Sequence, residues 1–89
     1  MAYTVGYPWE GTTTANAEIM PPFLAKKVLI SNDDSTTDMT VTLYLSGGPM
    51  TITVKAREVF EEELEVAKVV TVTGSIAARI WFWGEVTGE

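Results

Sequence analysis

Apolar and polar residues alternate along most of this chain with the period of two that marks half-buried β-strands. In the run Met39 to Ser46, Met39, Val41, Leu43 and Leu45 fall on one face and Thr40, Thr42 and Tyr44 on the other. Gly47-Gly48-Pro49 then turns the chain, and Met50, Ile52 and Val54 alternate with Thr51, Thr53 and Lys55, which predicts a hairpin. The strongest hairpin signal is the last long apolar run, Val69 to Trp83, whose halves Val69 to Thr73 and Ile76 to Trp83 flank the turn-compatible pair Gly74-Ser75. In its second half Ile76, Ala78, Ile80 and Phe82 point one way, and Ala77, Arg79, Trp81 and Trp83 the other. The first face is wholly apolar. The second carries two tryptophans and an arginine, which a small monomer normally avoids displaying to water.

The remaining segments fill out an all-β pattern. Lys27 to Ser31 reads as a short strand with Val28 and Ile30 on one face and Leu29 on the other, followed by a polar loop from Asn32 to Asp38. Lys55 to Lys68 admits a helix, with Phe60 and Leu64 on one face, or a strand from Arg57 to Glu62 and a helical turn through Leu64 to Ala67. The strand is preferred, because a lone helix of about ten residues is marginal. The acids of this region, Glu58, Glu61, Glu62, Glu63 and Glu65, suit a solvated strand edge or turn that blocks aggregation.

Residues 1–23 read differently. Tyr3, Tyr7, Pro8 and Trp9 precede Gly11 and a threonine run, Thr12 to Thr14. Weak alternation from Thr13 to Ile19 allows one short strand. Met20-Pro21-Pro22-Phe23 is expected to be extended and outside any central strand, since its prolines lack backbone donors. The expected architecture is an all-β single-domain β-sandwich or jelly-roll-like barrel of six to seven short strands over residues 24–89, preceded by an extended N-terminal arm, 1–23. Glu85 to Glu89 is read as a polar tail.

Composition narrows the function classes. Eighty-nine residues, 46% hydrophobic and 20% charged, suit one globular domain with one modest core. No run of about 20 apolar residues predicts a membrane span, and no basic-then-apolar start predicts a secretory signal. The chain has no cysteine and no histidine, so disulfides, thiolate metal sites and the commonest general base are excluded. The serines therefore lack a histidine to activate them, and Gly47-Gly48 lacks a P-loop context. Positioned glutamate pairs would need a cleft that so small a sandwich hardly provides. The expectation is a protein that is not an enzyme and needs no cofactor. Twelve acidic against six scattered basic residues give a net charge of −6, which argues against nucleic-acid binding. The Asn32–Asp38 loop offers oxygen ligands without the EF-hand spacing, so an ordinary capped turn is expected there and no metal.

The candidate site is therefore aromatic: Tyr3, Tyr7, Trp9, Arg79, Trp81 and Trp83. Trp81 and Trp83 suit the centre of a subunit interface, plain core packing under the N-terminal aromatics, or, with Trp9, a sugar-stacking platform. The platform requires at least two of the three tryptophans to be exposed and coplanar. Arg79 is expected to pair with a carboxylate or to stack on a ring.

In layout the chain resembles the small all-β structural proteins of tailed-bacteriophage virions, in particular capsid decoration (cement or auxiliary) proteins and short fibre or spike modules. The resemblance covers roughly residues 25–84. It runs from Val28-Leu29-Ile30-Ser31-Asn32, through the alternating hairpin Met39 to Val54 and Arg57-Glu58-Val59-Phe60, to Val69-Val70-Thr71-Val72-Thr73-Gly74-Ser75 and Arg79-Ile80. The chain carries Arg57 where many such sandwiches place a glycine before the glutamate. What the resemblance implies is a place in the virion and homo-oligomerisation, often as a trimer. It also implies a capsid or other virion protein as partner and an N-terminal arm that contacts neighbours. A host-attachment or carbohydrate-binding module of a tail fibre or spike is the alternative.

Overall fold

The computed structural model describes residues 2–87. Its elements are β1 (Ala2–Thr12), β2 (Ala17–Ile19), β3 (Ala25–Asn32), β4 (Met39–Leu45), β5 (Gly48–Val54), β6 (Val59–Glu62), β7 (Val66–Thr71) and β8 (Ala77–Thr87). All pair antiparallel, along the path β1-β8-β3-β7-β4-β5, with β6 beside β3 and β2 beside β7. The β3–β7 junction is a single pair, Ala25 with Val66. The sheet thus divides into two four-stranded halves, β1-β8-β3-β6 and β2-β7-β4-β5. Every connection except the β4–β5 turn crosses between the halves, which is the jelly-roll arrangement.

The alternation noted above decides what lies between the halves. Val28, Ile30, Ile80 and Phe82 from one half meet Met39, Val41, Leu43 and Val69 from the other, all of them fully buried. The outward partners on β4, Thr40, Thr42 and Tyr44, are half-buried or exposed. The predicted hairpin Met39 to Val54 is present, with Val41 opposite Ile52 and Thr42 opposite Thr51.

The hairpin expected of Val69 to Trp83 is not formed. β7 lies between β2 and β4, and β8 lies between β1 and β3, so residues 72–76 carry the chain from one half to the other. Alternation marks the buried face of a strand but not the neighbour along its edge. Here the first corner of the chain, after β1, decides. Thr13 donates its amide to Ile76 O at 2.8 Å and accepts Ser75 N–H on its carbonyl at 2.7 Å. Ser75 takes a left-handed φ of 64°, and a Cβ on Gly74 would lie 3.0 Å from the amide nitrogen of Ala15. The crossing is thus held too close to the first corner for a tight reversal onto β7.

Residues 2–12, expected within the arm 1–23, form β1, the eighth strand. It pairs with β8 from Ala2 opposite Thr87 to Thr12 opposite Ala77. The short strand allowed near Thr13 to Ile19 is β2, and Met20 to Phe23 holds no strand. The expected polar tail is strand as far as Thr87, while Gly88 and Glu89 lie outside the described residues. β3 leaves β8 at Gly84, so Ala2–Thr4 and Glu85–Thr87 extend as a two-stranded ribbon past the core. The helical turn expected from Leu64 to Ala67 is absent. β7 begins at Val66, whose side chain is fully buried and whose backbone pairs with Ala25; one helical turn there would give up both.

Candidate functional site

The outward face of β1-β8-β3-β6 carries the adjacent tryptophans Trp81 and Trp83. Register places Trp81 between Pro8 of β1 and Leu29 of β3, and Trp83 between Gly6 and Lys27. Trp81 is 47% exposed. Its ring meets Trp83 edge to face, with centroids 5.8 Å apart and planes at 69°. Two shallow clefts flank it, one of about 200 Å³ against Gly6, Pro8 and Trp83, the other of about 170 Å³ against Leu29, Val59 and Arg79.

Ion pairs border this apolar strip at both ends. Arg79 grips Asp33 through Nε (2.8 Å to Oδ2) and Nη2 (3.0 Å to Oδ1), and the Ser31 hydroxyl donates to Asp33 Oδ1 at 2.7 Å. The hydrogen bond from Arg79 holds the Asp33 carboxyl below its ordinary pKa, against a smaller opposing effect of desolvation, and Ser31 adds to the lowering. Between the two fates expected of Arg79, pairing with a carboxylate is the one found. The cation over the ring is Lys27, whose Nζ lies 5.1 Å from the Trp83 centroid and 2.9 Å from Glu61. Its pKa is raised, chiefly by the hydrogen bond to Glu61.

The six candidate residues divide between the two faces. Arg79, Trp81 and Trp83 lie together on the outer face. Tyr7 and Trp9 pair with Phe82 and Ile80, so they face inward and pack against the core; the Tyr7 and Phe82 rings are 6.2 Å apart. Tyr3, 52% exposed, sits on the inner side of the ribbon opposite Val86. The N-terminal aromatics therefore do not cover Trp81 and Trp83. Nor do the tryptophans form the flat platform that sugar stacking requires, since Trp9 is on the opposite face and the other two rings are steeply inclined.

Pro8, Leu29 and Val59 complete the strip and were missed from sequence. Leu29 carried a signal, being the one apolar side chain opposite the Val28–Ile30 face. Pro8 and Val59 became neighbours only through pairing across β1, β8, β3 and β6. The Asn32–Asp38 loop is a capped turn: Asp34 Oδ1 accepts the amides of Thr36 and Thr37, each at 2.9 Å. Buried Asn32 donates to the carbonyls of Thr37 and Val54, each at 2.9 Å. Among the described residues no three acidic side chains converge on a common point.

No protein-family model matches the chain, and no curated protein matches its sequence. Solved structures do match its fold. A protein of Bacillus endospore appendages, a family of disulfide-linked pili, aligns over 100% of this chain and 88% of its own, with TM-score 0.59 and 16% identity. YomS, a protein derived from the SPBc2 prophage, aligns over 94% and 96%, with TM-score 0.50 and 10% identity. The cupin domain of Drosophila melanogaster CENP-C aligns over 91% of this chain and 59% of its own, with TM-score 0.50 and 4% identity. At these identities the likeness is one of fold alone.

Proposed function

We propose that this protein is a non-enzymatic structural subunit of a bacteriophage virion, a homo-oligomeric decoration protein that docks on the assembled shell through the strip around Trp81. The observation that carries this reading is Trp81 itself, half-exposed among Pro8, Leu29, Val59 and Trp83, with charged pairs only at the margins. An apolar centre with aromatic residues and a polar rim is the anatomy of a protein–protein interface. The prophage-derived and pilus proteins of the same fold support a structural role. Residues 1–89 contain no cysteine, so an assembly of this chain would not be held by disulfides between them.

The test is sedimentation of purified virions from the source of the sequence. The chain should migrate with intact particles, and Trp81→Ala should release it into the soluble fraction while remaining folded by circular dichroism. Virions that lack the chain, or that retain Trp81→Ala undiminished, would overturn the reading.

A further inference from the structure

We propose that β5 pairs edge to edge with β5 of a second copy of this chain, antiparallel about a two-fold axis at Ile52, joining two β2-β7-β4-β5 halves into one continuous sheet. This contact lies on the half of the molecule opposite the Trp81 strip and goes beyond the docking role assigned to that strip.

A sheet edge presents unpaired N–H and C=O groups, and soluble proteins block such edges by shortness, charge or proline. Among the described residues the fold has four edges: β1 and β6 on one half, β2 and β5 on the other. Two of them are short and charged, and the third is interrupted in its second half. β2 has three residues with Glu18 at its centre, β6 has four and ends in Glu61-Glu62, and β1 carries Pro8 and Glu10. β5 is different. Its proline, Pro49, is at the start, and Met50 to Val54 reads Met-Thr-Ile-Thr-Val with no charge. The core is also left open along this edge. Met50 and Ile52 face inward, opposite Leu43 and Val41, yet Met50 is 37% exposed and Ile52 only half-buried.

The strand is complementary to itself, which identifies the occupant as a second copy. Antiparallel pairing about Ile52 sets Met50 against Val54 and Thr51 against Thr53, so core-facing side chains meet core-facing ones. On the outer face it continues a threonine row in which the Thr42 and Thr51 hydroxyls already lie 3.0 Å apart. One step beyond the ladder, Lys55 of one copy comes opposite Pro49 of the other. Pro49 borders a cleft shared with Met50, Glu63, Leu64 and Glu65. Among the described residues neither Lys55 nor Glu63 makes an ion pair within the chain, and the field of Lys27 is all that Glu63 feels from a cation, so Lys55 of a second copy brings a complementary charge to the acidic side of this cleft.

The native chain is expected to be a dimer by light scattering. Thr51 and Thr53 are exposed on the outer face, so charges there leave the core alone. Thr51→Lys with Thr53→Lys sets like charges directly opposite each other and should weaken the dimer by at least about tenfold. Thr51→Glu with Thr53→Lys sets opposite charges together in this register alone and should restore it. Because the chain lacks cysteine, Ile52→Cys introduces a single thiol facing its own symmetry mate, within disulfide reach for directly paired strands. Mild oxidation should link it as a dimer, whereas Thr4→Cys on β1 should stay unlinked. A native chain that remains monomeric, a doubly lysine-substituted chain that still dimerises, or equal linking of both cysteine variants would overturn the proposal. Failure of shell docking is read separately through Trp81→Ala, which leaves β5 untouched.

Discussion

The Thr13 hydroxyl donates to the carbonyl of Thr73 at 2.7 Å and accepts the amide of Ile76 at 3.0 Å, tying the corner after β1 to the crossing that launches β8. Thr13 is only 4% exposed, so water cannot replace it. Thr13→Val keeps the shape but leaves the Ile76 amide and the Thr73 carbonyl without that partner. The expected cost is about 1–3 kcal/mol, read as a lower urea midpoint with an unchanged slope.

Gly84 is where Phe23 packs against β8. A Cβ there would lie 2.8 Å from Phe23 Cε1 and 2.9 Å from the Leu24 carbonyl oxygen. The ring can shift, but the backbone of Leu24 is held by the neighbouring buried Ala25. Gly84→Ala is expected to cost about 1–3 kcal/mol by overpacking, seen as a lower thermal midpoint. The same substitution at Gly47, where a Cβ meets nothing within 4 Å, should have far less effect.

Arg57 holds a φ of 66° at the turn into β6, the left-handed region that glycine occupies without a Cβ clash. Its side chain is exposed. Relief of the clash exceeds the added chain entropy of glycine, so Arg57→Gly is expected to stabilise the fold by about 0.5–1 kcal/mol. A rise in the thermal midpoint would check it, and Arg57→Ala, which keeps the Cβ, should not reproduce it.

The Asp33–Arg79 pair gives an acid-sensitive term. The folded-state pKa of Asp33 is lowered, so its contribution is fully present above the unfolded value, about pH 4, and is lost as pH falls through the lowered one. Asp33→Asn should therefore be less stable than the native chain near neutral pH, with the gap closing as acid protonates the native carboxyl. Parallel urea titrations at neutral and strongly acidic pH measure this. A gap that widened in acid would contradict the assignment.

Much of the strand content was legible in the sequence because inward and outward positions differ in chemistry at each step. Met39, Val41 and Leu43 against Thr40, Thr42 and Tyr44 specify which face of β4 is buried wherever that strand lies. The outward direction of Arg79, Trp81 and Trp83 followed in the same way. β1 was not legible as a strand, since only Val5, Tyr7 and Trp9 are even half-buried and Gly6, Pro8 and Gly11 weaken the signal. The strip around Trp81 was half legible: its tryptophans stood out, but Pro8 and Val59 lie on strands far from them in sequence.

The sequence by itself determined an all-β chain, the buried face of its central strands and the absence of histidine and cysteine chemistry. Those are properties of side-chain type and period, present before any strand finds a partner. Tertiary structure alone decided that β7 and β8 separate into opposite halves, that Tyr7 and Trp9 turn inward, and that Trp81 is left half-exposed. Those outcomes depend on which edges pair. Edge pairing is made by backbone groups common to every residue, and the alternating pattern does not distinguish among them.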